Sequence, residues 1–67
     1  MENKVKETRE SLDISQRQLA EMCGTGHSTI SDIESGKSAP NIFLAIRIAK
    51  ALNSSVEFLW GDCMEDD

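Results

Sequence analysis

"ISQRQLAEMCGTGHSTISDIESGK", Ile14 to Lys37, decides the fold. It reads as a helix, a tight turn and a second helix. Ser15 can cap the first helix, and Gln18 three residues later completes a capping box. Ile14 before the cap and Leu19 at the fourth helical position form a hydrophobic staple. The first of these helices is predicted from Gln16 to Cys23, with Leu19, Ala20 and Cys23 turned inward. Gly24 supplies the left-handed residue that stops it. The second is predicted from His27 to Ser35, with Ile30 and Ile33 inward, Thr29 partly covered and Gly36 as its stop.

Upstream, Val5, Thr8, Arg9 and Leu12 share one face of a helix predicted from Asn3 to Leu12, which Asp13 and Ile14 break. Downstream, "KSAP" is a loop, and Asn41 after Pro40 caps a fourth helix, Ile42 to Leu52. Asn53 and Ser54 make a turn. Ser55 caps a short last helix, Val56 to Trp60, which Gly61 ends. Five helices with short connections and no convincing strand define a compact all-α domain. In the fourth helix Ile42, Ala45, Ile46, Ala49 and Leu52 form the expected inward stripe. Phe43, Leu44, Ile48 and Ala51 are apolar as well, so this helix wants cover on more than one side. Either helices one and five supply that cover, or a partner does.

At 67 residues the chain suffices for one small domain with a thin core. Residues 1–61 are assigned to that domain and residues 62–67 to an acidic C-terminal tail. No internal repeat is visible, and the apolar run around Ile42 to Ile46 is too short to span a membrane. The start, "MENKVKE", lacks the apolar core of a signal peptide, so a cytoplasmic protein is expected. Cys23 falls at an apolar helix position and Cys63 lies in the tail. They do not have metal-ligand spacing, and one buried and one exposed thiol are expected rather than a disulfide or a metal site. No metal, cofactor or small-molecule ligand is indicated.

The net charge of −5 comes from seven Lys and Arg against twelve Asp and Glu. Phosphate contacts need cations, so this balance alone argues against nucleic acid. Four of the acids lie in "DCMEDD", however, and residues 1–61 carry seven basic and eight acidic side chains. The domain is near neutral and the tail is a solvated acidic run. Between Gly26 and Gly36 there is no Lys or Arg, while Asp32 and Glu34 are acids. A turn followed by a short helix is how many small proteins present side chains to the DNA major groove. The charge of this one leaves open whether it can do so.

The stretch from Ile14 to Leu59 resembles the Cro and lambda-repressor-like (XRE) helix-turn-helix family. The resemblance spans Val5 to Gly61. It rests on Arg9, Ser15–Gln16, "LAE" at Leu19–Glu21, Gly24, "STIS" at Ser28–Ser31, "IESGK" at Ile33–Lys37, Pro40, "IAKAL" at Ile48–Leu52, and Ser55, Val56 and Leu59. It implies a five-helix DNA-binding domain whose third helix enters the major groove, acting as a small transcriptional regulator, expected to be a repressor. Members usually bind as dimers to paired half-sites, so a homodimer on an inverted-repeat operator of double-stranded DNA is expected.

Residue by residue, the resemblance makes Arg9 and Glu34 a structural ion pair between helices one and three. His27, Ser28, Ser31 and Asp32 take the base-reading positions, with Thr29 beside them. His27 can donate to guanine or phosphate, whereas Asp32 can only accept and so suits cytosine N4. Gln16, Arg17, Lys37, Ser38 and Asn41 become the phosphate contacts, joined by Lys4 and Lys6 as further candidates. Phe43, Leu44, Phe58 and Trp60 are the candidates for a dimer interface. Two departures stand out: Gly26 replaces a Ser or Thr cap, and Thr25 stands where the family often has a buried Val; the third helix also lacks the cations many members use. A protein-interaction module or antagonist, keeping the fold and pairing with another regulator, is the competing reading. An enzyme is not indicated, since His27 has no sequence partner for catalysis.

Overall fold

The free N–H and C=O groups at a helix end must find partners. The structure, a computed structural model, describes residues 2–64, with side chains described through residue 61. Among the described residues it contains five helices and no strand: α1 Val5–Ser11, α2 Gln16–Cys23, α3 His27–Ser35, α4 Ile42–Ala51 and α5 Val56–Met64. Side chains serve the starts of α2, α4 and α5, while backbone N–H groups close the ends of α1 to α4.

The Ser15 hydroxyl accepts from the Gln18 N–H at 3.0 Å, and the Ser15 N–H donates to Gln18 Oε1 at 2.8 Å, which completes the capping box. Leu19 is fully buried and Ile14, partly buried, packs against the core. Gly24 at φ 70° and Gly36 at φ 85° end α2 and α3 in the left-handed conformation, where a Cβ would be strained. Asn41 caps α4 by accepting from the Leu44 N–H at 2.8 Å, and Ser55 caps α5 by accepting from the Phe58 N–H at 3.0 Å.

Three helix boundaries are corrected. The first helix begins at Val5, not Asn3, because Asn3 works from outside it. Its Oδ1 accepts from the Val5 N–H at 3.0 Å, and its Nδ2 donates to the Ile33 carbonyl near the end of α3 at 2.8 Å. The same helix stops at Ser11, with Asp13 left-handed at φ 59°, and Leu12 leaves the buried stripe to stand 45 % exposed. The last helix runs through Gly61 to Met64. Gly61 is not left-handed, and a Cβ there would meet nothing, so it is not a stop. The boundary drawn at residue 61 therefore falls inside α5. The side chain of Cys63 and residues 65–67 of the tail lie outside the described residues.

The core is built from Val5, Leu19, Ala20, Cys23, Ile30, Ile33, Ala45, Ile48, Ala49, Leu52, Leu59 and Trp60. In α4 the buried stripe is Ala45, Ile48, Ala49 and Leu52, while Ile42, Phe43 and Ile46 are exposed. This corrects the expected stripe, which held Ile42 and Ile46 and left Ile48 out. The helix is turned so that α2 and α5 pack against it. Trp60, expected at a dimer interface, is 4 % exposed and belongs to the core. Its Nε1–H finds no acceptor among the described residues, at a cost of about 1–3 kcal/mol. Phe58 takes the outer position, half exposed, with the Lys4 ammonium 4.9 Å from its ring centre.

Candidate nucleic-acid interface

Between α2 and α3 the chain turns within three residues. The Thr25 N–H donates to the Ala20 carbonyl at 3.0 Å. Gly26 then starts α3 in an extended conformation, with no side chain to cap it. The turn holds α3 so that Ile30 and Ile33 face the core, while His27 and Ser28 are exposed and Ser31 and Asp32 half-buried. The side chains of Ser28, Ser31 and Asp32 make no hydrogen bond or ion pair among the described residues.

Behind this surface runs a polar chain. Arg9 Nε donates to Glu34 Oε2 at 2.6 Å and Nη2 to Oε1 at 3.2 Å, while Nη1 donates to the Ile14 carbonyl at 2.7 Å. The two side chains are 9 % and 3 % exposed. A forked, two-bond pair of this kind fixes geometry as well as charge. The hydrogen bond with Glu34 holds the guanidinium above its ordinary pKa against the opposing effect of burial. Gln16 Nε2 donates to Glu34 Oε1 at 3.0 Å, and Gln16 Oε1 meets His27 Nε2 at 3.0 Å. The chain thus links α1, the end of α3, the start of α2 and the start of α3.

Of the assigned phosphate contacts, Arg17, Lys37, Ser38 and Asn41 are exposed. The backbone N–H groups of Lys37 and Ser38 donate to the Asp32 carbonyl at 2.9 and 3.4 Å, wrapping the loop over the end of α3. Asn41 spends its oxygen on the α4 cap and keeps its amide NH2. Gln16 is half-buried and engaged at both ends. Lys6 lines a shallow hollow with Gln16, Ser31, Glu34 and Ser35, beside the exposed face of α3, whereas Lys4 is drawn over Phe58. The links from Gln16 to Glu34 and His27 were missed in the sequence, because separations of 18 and 11 residues leave no periodic signal.

The remaining chemistry is quiet. Burial pushes the Cys23 thiol up, only partly offset by Arg47, as befits a core residue rather than a nucleophile. Among the described residues no three His, Cys, Asp or Glu side chains converge as metal ligands. No helix of the described residues is long and apolar enough to cross a membrane.

An all-helical domain with this turn and this exposed helix face is a helix-turn-helix domain. The chain belongs to the helix-turn-helix family HTH_3, whose model matches residues 5–59, and so to a family of DNA-binding transcriptional regulators. It is 40 % identical over 57 residues to the uncharacterized HTH-type transcriptional regulator YgzD of Bacillus subtilis, covering 85 % of this chain and 86 % of that one. It is 37 % identical over 67 residues to the uncharacterized HTH-type transcriptional regulator MJ0272 of Methanocaldococcus jannaschii, covering 100 % and 98 %. Among solved structures, a SinR protein/SinI protein complex superposes with a TM-score of 0.74 at 30 % identity over 79 % of this chain. An HTH_3 family transcriptional regulator from Vibrio cholerae gives 0.74 at 28 % identity over 87 %. This chain spans about half (52 %) of the first of those chains and a third (33 %) of the second.

Proposed function

We propose that the protein is a sequence-specific DNA-binding repressor that acts as a dimer on an inverted repeat, with α3 in the major groove. The observation that carries this reading is the state of α3. Its apolar side is consumed by the core, while Ser28, Ser31 and Asp32 point their hydrogen-bonding groups at no other part of the described chain. His27, Ser28, Ser31 and Asp32 face the bases. Arg17, Lys37, Ser38, the NH2 of Asn41, Gln16 and the nearby Lys6 face phosphates. The short neutral groups of α3 supply selectivity, and the cations around it supply affinity.

The dimer interface is proposed on Phe43 and Phe58, with Leu44 at its edge, since Phe43 is 72 % and Phe58 52 % exposed. A second reading has one observation in its favour. Ile42, Phe43 and Ile46 give one end of α4 an uncovered apolar face, and the SinR structure is a complex of two proteins. In that reading the face docks another regulator.

Selection of bound duplexes from random DNA at low salt tests the proposal. An enriched inverted repeat is the expected result. With about three to five cations per subunit near DNA, the log–log salt slope of a dimer should lie near −5 to −9. No binding at about 50 mM salt would leave the interaction reading standing. Sedimentation that finds only monomer, with one subunit per operator, would remove the dimer.

A further inference from the structure

The polar chain behind α3 has a direction. Arg9 can only donate, and a carboxylate paired with it can only accept. Glu34 Oε1 also contacts Gln16 Nε2 at 3.0 Å. Only the NH2 end of an amide can face an acceptor, so the Gln16 amide has one permitted orientation. Its oxygen is thereby turned to His27 Nε2, 3.0 Å away. That contact requires a proton on Nε2. A neutral imidazole has one N–H, so in the neutral ring Nδ1 carries the lone pair. Nδ1 makes no hydrogen bond among the described residues, and His27 is exposed. An ion pair between α1 and α3 therefore sets the hydrogen-bonding polarity of a side chain on the exposed face.

We infer that His27 is a specificity-determining residue that accepts, through Nδ1, a hydrogen bond from an amino base, adenine or cytosine, and rejects the keto bases guanine and thymine at that position. The inference rests on the DNA-binding function proposed above and deepens it. In the major groove adenine N6 and cytosine N4 are donors, whereas guanine O6 and N7 and thymine O4 are acceptors. An acceptor on the protein matches the first pair and opposes the second. Donation from His27 to guanine, expected from the sequence, is thus replaced by acceptance, because its donor is held by Gln16. Asp32 is likewise limited to accepting, and Ser28 and Ser31 serve either way. The lack of Lys and Arg in α3 fits this polarity, since a cationic side chain donates only and reads guanine.

Two measurements test it. His27 is the only histidine, so the imidazole 15N spectrum is unambiguous. With the ring neutral, the wild-type protein should show the Nε2–H form, and Gln16→Ala should raise the Nδ1–H population. An Nδ1–H ring in the wild type, or no response to Gln16→Ala, overturns the relay.

The second measurement is duplex selection with the wild type, Gln16→Ala and His27→Lys, each checked for folding by its thermal melt. The wild type should prefer A or C over G or T at one position per half-site by about 5- to 150-fold. His27→Lys should redirect that position to guanine, and Gln16→Ala should flatten it. Three results overturn the inference alone: a keto base at that position in the wild type, a profile unchanged in His27→Lys, or a uniform loss in Gln16→Ala with the profile intact. Failure of the wild type to bind any duplex overturns the DNA-binding function itself.

Discussion

The pairs α2–α3 and α4–α5 are both two helices joined by a short turn, yet only the first is spelled out locally. In α2 and α3 the apolar positions are few and bounded by polar ones, so the buried sets Leu19, Ala20, Cys23 and Ile30, Ile33 follow from period alone. In α4, eight of the ten residues between Ile42 and Ala51 are apolar, and several stripes satisfy the same period. Which stripe is buried depends on what packs against it. In α5 Phe58 and Trp60 are both large and apolar, and only the tertiary fit puts Trp60 inside and Phe58 out. Sequence thus specifies a face where polar residues exclude the alternatives, and leaves it to packing where they do not.

The largest test concerns the element that joins the first pair to the rest. Arg9→Ala strands the Glu34 carboxylate, 3 % exposed, and should cost about 3–5 kcal/mol in urea or thermal unfolding. Arg9→Met combined with Glu34→Leu should recover part of that loss, because no buried charge is left alone. A wild-type melt for Arg9→Ala would mean that the pair contributes nothing to the fold.

The rotation of α4 is tested next. Ile48→Ala should cost about 2–4 kcal/mol, and Ile46→Ala less than about 1 kcal/mol, read from denaturation midpoints. The reverse order would restore the stripe expected from the sequence. Ser15→Ala should then cost about 1 kcal/mol by opening the capping box. Gly26→Ser should do the opposite and gain a few tenths of a kcal/mol. It would give α3 the cap that α2 already has, and a Cβ there meets only Thr29 Oγ1 at 3.9 Å. A loss of stability at Gly26→Ser would show that the turn needs the glycine.

The candidate site divides along the same line. The exposed face of α3 and the Arg9–Glu34 pair were legible, because caps, glycines and the family resemblance fix the register of α3 against α1. The relay through Gln16 was not. Gln16 is a good first residue of a helix, and nothing in its neighbours says that its amide bridges a carboxylate and an imidazole brought in from α3. The assignments of Leu12, Trp60 and Gly61 failed for a related reason. They turn on how α1 and α5 end and sit: α1 stops at Ser11 with Asp13 left-handed, and α5 runs on through Gly61 to Met64 with Trp60 turned into the core.

The Lys4 N–H donates to the Leu59 carbonyl at 2.9 Å, and Asn3 reaches the Ile33 carbonyl. The opening residues are therefore stitched to groups made much later. On the ribosome, where synthesis adds about 5–20 residues per second, α1 must wait seconds for its partners to emerge. The α2–α3 unit can settle its own caps and turn as soon as it leaves the tunnel. Arg9 stays solvated until Glu34 arrives, and the N-terminal strap stays open until Leu59 is out. Closure of the domain thus waits on Leu59, and α1 is locked after the helices that follow it.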